Sequence, residues 1–279
     1  MLLMPRYGTD PVIVLDGDPS AIAEPAIRQR RRLAALLADL DDEQWAHPSR
    51  CAGWSSRDVI LHLDSTNNFW SFSIAQALRG EPTRFLATFD PVASPAQLVL
   101  EAGAISNAET LERFTASTDA LVACWESLDG EGWATLAEAP PGHVSVSALA
   151  HHALWDSWVH ERDIVLPLGR APVEEHDEVA ASLRYGAALS PAFSLNAGAV
   201  ERGTLAVDVT DPDVSFVVEV DDRVSVRAGR DVTADVRFTG NAVELLEALS
   251  FRRPLDQLVP DESAWMLRGL ADTFDVADR

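Results

Sequence analysis

The sequence contains no lysine: all 22 basic side chains are arginine, set against 44 aspartates and glutamates, for a formal net charge of −22. That absence excludes Schiff-base chemistry and a P-loop, both of which need the lysine amine. The acidic balance argues against a broad nucleic-acid or anionic-membrane surface, because a field of that sign repels phosphate. An anionic substrate remains compatible if a local arginine or a metal reverses the sign. Cysteine is nearly as scarce. Cys51 and Cys124 are too few for a disulfide framework, and no C-x-x-C occurs. Long apolar runs are missing as well: none approaches the roughly 18 to 20 residues that span a bilayer. The opening "MLLMPRYGTDPVIVLDGDP" is broken by Pro, Gly and Asp where a signal peptide needs an unbroken apolar stretch. The expectation is a soluble, cytoplasmic chain, monomer or homodimer, with neither nucleic acid nor membrane as partner.

What is present is enough apolar residue in 279 positions to bury one large or two ordinary cores. Residues 1–18 read as an extended arm. From Ala21 to Leu40, Ile27, Leu33, Leu36, Leu37 and Leu40 recur at helical spacing, with the run "RQRRR" turned outward. "AHPSRCAGWSS" breaks that helix, and Ser55 or Ser56 caps a second one that runs to about Leu78 before Gly80 and Pro82. A third helix spans about Ser94 to Leu128 with an irregularity, "EAPPGHVSV" reads as loop, and a fourth helix covers about Ser147 to Val165. Four long helices predict an antiparallel bundle over 19–170.

Beyond it, a helix over about Glu174 to Leu189 bridges to alternating runs "GTLAVDV", "VSFVVEV", "RVSVRA" and "ADVRFTG". "VDDR" suits a tight hairpin turn. Helices follow in "NAVELLEALS" and from Glu262 to about Ala271. The fold class is α+β in two domains, with 171–279 as a small α+β unit.

The chemistry-bearing pattern is "WDSWVHERD". Asp156 and His160, four apart, share a helix face, and His62 lies in "GWSSRDVILHL" on a second helix. All three sit among apolar neighbours, where charged groups need a partner or a metal to offset desolvation. One Asp and two His from facing helices make a three-ligand metal site with a position left open, suited to Zn²⁺ and compatible with other divalent ions.

His152 and Asp163 extend the same stripe, as an alternative ligand and as an acceptor for a ligand imidazole; for Asp163 the plainer reading is a salt bridge, with Arg57 as a partner. Asp58 either orients an imidazole or answers the helix dipole. Cys51 reads as a small packing residue and Cys124 as core. His47, His143, His151 and His176 read as solvated. Asn67 or Trp70 could line the space above the metal, with bundle core as the competing reading.

The blocks "GW-x-x-x-DV-x-x-H" and "WD-x-x-x-H-x-x-D", followed by "LLEALSFRRP", resemble the mycothiol-dependent maleylpyruvate isomerase family, whose N-terminal domain is a DinB-like metal-binding four-helix bundle. The resemblance covers nearly the whole chain beyond the arm. It implies His62, Asp156 and His160 as zinc ligands, although the family often has Glu at the position of Asp156. It implies mycothiol as the thiol cofactor at the open metal position and a small acidic substrate. It also implies a C-terminal domain of sterol-carrier-like α+β fold that contributes an arginine, Arg252 or Arg253, with Phe251 where the family usually has Gly.

The expected function is a thiol-using isomerase or S-transferase. Metal-assisted hydrolysis and a non-catalytic, metal-stabilised binding protein are the alternatives.

Overall fold

In a computed structural model that describes residues 2–274, an extended opening leads through β1 (Ile13–Leu15) to α1 (Ala23–Ala38), a short α2 (Asp42–Ala46) and α3 (Ser56–Ala77). A crossover carrying α4 (Ala93–Ala102) leads to α5 (Asn107–Glu126), the single turn α6 (Gly130–Ala134), the hairpin β2 (Leu136–Ala139) and β3 (Gly142–Ser145), and α7 (Val146–Val165). Then come α8 (His176–Asn196), β4 (Gly203–Thr210), β5 (Val214–Val220), β6 (Val224–Ala228), β7 (Val236–Asn241), α9 (Ala242–Leu249) and α10 (Trp265–Thr273).

The four long helices α1, α3, α5 and α7 form a ring in which α3 and α1 each pack against both α5 and α7. The α3–α7 pair is antiparallel: His62 meets Asp156 near one end, and the Trp70 ring meets His152 near the other. Against α5, α3 runs parallel, with Arg57 on the carbonyls of Gly103 and Ile105, Arg113 beside Asp64, and Asn67 on Thr118. Two consecutive parallel helices need a long return, and the 78–106 crossover supplies it.

The remaining strands form a five-stranded mixed sheet ordered β1-β6-β5-β4-β7. The "VDDR" turn joins β5 to β6 with Val220 opposite Val224, and β7 lies parallel to β4. Helix α8 packs against α7, α9, α10 and the sheet. Buried residues along its length, including Leu183, Tyr185 and Leu189, join bundle residues such as Trp70 and Trp158 to sheet residues such as Val207 and Phe238 in one apolar core. A smaller cluster around Leu33, Leu37, Trp45, Ile60 and Phe114 fills the other end of the bundle.

Six local expectations are corrected. The extended arm is an edge strand: β1 pairs parallel with β6, and Arg6 bridges to Gly142. Gly142 has φ +126°, and a Cβ there would lie 2.0 Å from the Arg6 carbonyl oxygen, so only glycine admits the arm. "EAPPGHVSV" is the β2–β3 hairpin with Pro140 and Pro141 at its turn, and His143 is buried between the carbonyls of Gly8 and Thr83. His151 is partly buried too, against the Ser147 carbonyl. The third helix is two, α4 and α5, parted at Gly103, whose φ is +73°.

The run "RQRRR" faces outward only in part, at Arg31 and, less so, Arg28. Gln29 and Arg30 are fully buried, and Arg32 reaches Glu161 and Glu178, both buried.

Candidate metal centre

Helix α3 starts on a capping box in which the Ser55 side chain accepts from the Asp58 N–H and the Asp58 carboxylate accepts from the Ser55 N–H. That accounts for Asp58, which anchors the helix end and orients no imidazole. His62 follows one turn later. His62, Ser65, Thr66, Phe69 and Trp70 form one face of α3, and His160, Val159, Asp156, Trp155 and His152 form the facing stripe of α7; all ten line one pocket of ≈ 680 Å³. Helical spacing alone places these residues side by side.

At the floor of this pocket His62 Nε2 lies 3.9 Å, and His160 Nε2 3.5 Å, from Asp156 Oδ1, and the two imidazoles meet edge-on at 5.1 Å between centroids. One donor atom from each of the three lies within 4.8 Å of the others. Tetrahedral Zn²⁺ places its ligand atoms about 3.3–3.4 Å apart, so a small contraction closes the set. Asp156 Oδ2 and His62 Nδ1 are buried with no hydrogen-bond partner. A buried carboxylate oxygen without a donor is costly, and a cation satisfies it. Burial pushes the Asp156 carboxyl up, but the neighbouring imidazoles of His62 and His160 outweigh it and hold the group well below the usual carboxylate range. The donor set fits a divalent metal.

His160 is oriented from behind. Its Nδ1 lies 3.0 Å from Asp163 Oδ2, and Arg252 grips the same carboxylate with Nε at 2.8 Å from Oδ1 and Nη2 at 2.7 Å from Oδ2. A ligand imidazole held through its second nitrogen by a carboxylate is the usual support for a metal site. Burial raises Asp163, but the His160 and Arg252 bonds win and keep it ionised far into acid. Asp163 therefore bonds Arg252, not Arg57.

Arg50 adds a tie: it donates to Glu247 at 2.8 Å and to the Arg252 carbonyl at 3.2 Å, while Arg162 holds the same Glu247 at 2.9 Å. These contacts join the loop before α3 to the end of α9.

The other expected residues separate clearly. Trp70 lines the pocket. Asn67 does not: it is buried against α5, donating to Thr118 at 3.2 Å. Five positions beyond His62, it is turned about 140° around the helix. Arg252 lines the pocket, whereas Arg253 points away to Glu244 at 2.8 Å. His152 belongs to no ligand cluster among the described residues; its Nδ1 meets the Tyr185 hydroxyl at 3.0 Å, and burial pushes it down to about 4 despite nearby Asp156. It is a neutral wall residue.

Cys51 is not mere packing. Its Sγ is 3.2 Å from Asp163 Oδ2, 3.6 Å from His160 Nδ1 and 3.8 Å from Arg252 Nη2, and it lines the pocket. Cys51, His160 and Asp163 also meet ligand spacing, but the Arg252 guanidinium on Asp163 repels a second cation, so the His62 set is the candidate. Arg50, Cys51 and Trp155 were missed by sequence reasoning. The signal for the first two was their place directly before the "GW" block; for Trp155 it was the helical stripe.

Residues 27–165 match the family described as "Mycothiol maleylpyruvate isomerase N-terminal domain". A crystal structure of the mycothiol-dependent maleylpyruvate isomerase superposes with a TM-score of 0.58 at 16% identity, covering 88% of this chain and 92% of that one. A His-to-Ala variant of that enzyme gives 0.57 at 16% identity, covering 84% and 88%. At such identity the likeness establishes the fold. No curated protein matches. Through its bundle, this chain belongs to the mycothiol maleylpyruvate isomerase N-terminal domain family.

Proposed function

We propose that this protein is a zinc-dependent enzyme that uses mycothiol, or a thiol like it, to attack an electrophilic carbon of a small molecule. The observation that carries the reading is the convergence of His62, Asp156 and His160 at the floor of a pocket, with Asp156 Oδ2 lacking a donor and His160 braced by Asp163 and Arg252. A divalent cation there would lower the pKa of a thiol at the open position, making it nucleophilic near neutral pH.

The protein's own residues then supply orientation and charge. Asp163 accepts from the His160 Nδ1–H, which leaves Nε2, on the Asp156 side, as the nitrogen that would ligate a metal. Arg252 and Arg50 place positive charge in the pocket wall, beside a substrate carboxylate or the oxygen of a developing enolate. Addition forms the S–C bond and moves the π electrons toward the substrate carbonyl, leaving a C–C single bond that can rotate. Expulsion of the sulfur restores the double bond, giving isomerisation. Protonation of the carbon in its place gives the S-conjugate. Family membership supports the thiol, and the cytosolic occurrence of such thiols supports a cytoplasmic site of action. The bundle of 19–170 would carry the metal and 171–279 would contribute Arg252.

Thiol-dependent conversion of an α,β-unsaturated ketone or keto acid is the test. It should require both thiol and metal, stop on chelation and return with Zn²⁺. Metal-dependent hydrolysis of an amide without any thiol would replace this reading.

A further inference from the structure

The pocket is strongly asymmetric about the candidate metal site. On one side, next to His160 and Asp163, lie Arg50, Cys51 and Arg252. In the other direction, α3 continues to Phe69 and Trp70 and α7 back to Trp155 and His152, and the far walls come from Leu86, Phe89, Leu98 and Phe274. His62 and Trp70 are eight residues apart, so this arm extends about 12 Å along the helix axis. Beyond Asp156 the described residues that line the arm include no Asp, Glu or Arg, and their one titratable side chain is the neutral His152. The whole pocket, ≈ 680 Å³, is of the size that takes drug-sized ligands, about 300–1,000 Å³.

The cations of the pocket are largely engaged already. Arg252 spends Nε and Nη2 on Asp163 and Nη1 on the Ser250 carbonyl, and Arg50 spends Nη1 on Glu247 and Nη2 on the Arg252 carbonyl. What remains suits one carboxylate. A second one would lie in the arm, desolvated and unpaired.

Phe251, beside Arg252 at φ +56°, occupies a left-handed position that glycine fills without strain, and its ring adds an apolar wall to the pocket. On the side of the arm the lining is open to apolar contact. Helix α4 buries none of its residues, and with the preceding loop it leaves Phe85, Val92 and Leu98 59%, 54% and 41% exposed along the pocket rim. An apolar ligand in the arm would cover them.

We propose that the electrophile handled here is a mainly apolar, ring-bearing molecule with at most one anionic group, its apolar part filling the arm from Phe69 and Trp70 to Leu86 and Phe89, and not a small dianionic acid. This rests on the thiol-addition reading above. The anionic or carbonyl end faces the metal and Arg252, and the ring lies in the arm.

The test uses the zinc-loaded full chain and two unreactive probes, 3-phenylpropanoate (one carboxylate, one ring) and succinate (two carboxylates, no ring), with binding read by calorimetry. 3-Phenylpropanoate should bind at least tenfold more tightly, and the rim variant L98R should narrow that ratio by weakening the ring's site and adding a cation for the dianion. Succinate binding as tightly as 3-phenylpropanoate, or no binding of either, overturns the proposal, as does an unchanged ratio in L98R. Thiol-dependent turnover of 4-phenylbut-3-en-2-one against maleylpyruvate separates the two readings. If 3-phenylpropanoate is preferred but neither electrophile reacts with thiol, the thiol-addition reading fails and the pocket's selectivity stands. Rapid turnover of maleylpyruvate with succinate preferred leaves the reaction intact and removes this proposal.

Discussion

At the scale of single residues, the site divides into what spacing reveals and what only folding assembles. Asp156 and His160 were legible because one helix carries both, and His62 because its apolar neighbours had no other use for an imidazole. The Cys51 contacts were illegible: they come from residues 109, 112 and 201 positions away. Arg252 and Arg253 were equivalent in sequence, and the turn at Phe251 decides between them.

Arg252→Ala removes the bidentate partner of a fully buried Asp163 carboxylate but leaves it His160 at 3.0 Å and Arg50 at 3.6 Å, so it should destabilise by about 1.5–3 kcal/mol in chemical denaturation. It should also lower kcat/KM at least tenfold, whereas Arg253→Ala leaves both near wild type. Equal effects of the two would refute the assignment. Phe251→Gly relieves a left-handed position that costs a side chain about 1–2 kcal/mol, so its stability should be little changed although a pocket-lining ring is lost. A loss above about 3 kcal/mol, the size of a Phe-to-Ala change in a core, would mean that the ring is structural.

At the scale of elements, helices with an apolar stripe were readable and pairings across long sequence gaps were not. Ser55 marked the start of α3, because a capping serine followed three residues later by an acid is a local signal. β1 is three residues long and pairs with a strand more than 200 positions away, so no local pattern announces it. The β2–β3 hairpin was hidden by its prolines.

Buried arginines on α1 defeated the outward reading of "RQRRR". Arg32 holds Glu161 at 3.0 Å and Glu178 at 2.6 Å, tying α1 to α7 and α8. Arg32→Met leaves two buried carboxylates with only Gln29 and Arg28 nearby, and it should cost about 3 kcal/mol or more. A melting temperature within a degree of wild type would show that the network is dispensable.

At the scale of the whole molecule, the net charge of −22 opposes anionic ligands everywhere except where arginine, and a metal once bound, would reverse it locally. Stability also depends on buried histidine kept neutral. His152 is pushed down to about 4 by burial, against an ordinary 6.5 in the unfolded chain. The unfolded state therefore binds a proton that the native state refuses between these values. The contribution of His152 is complete above pH 6.5 and is lost as pH falls toward 4, at up to about 1.4 kcal/mol per pH unit. Relative to wild type, His152→Phe should lose less stability between pH 6.5 and 4.5, measured by urea denaturation in 0.15 M salt. Parallel curves for the two proteins would contradict this.

The central claim is that His62, Asp156 and His160 together hold one catalytic metal, and the most direct measurement is metal content after purification and dialysis against zinc. Wild type, His151→Ala and Asp156→Glu should retain stoichiometric zinc, while His62→Ala and His160→Ala should lose most of it and remain folded by circular dichroism. Stoichiometric zinc in folded His62→Ala, or none in wild type, would contradict the account.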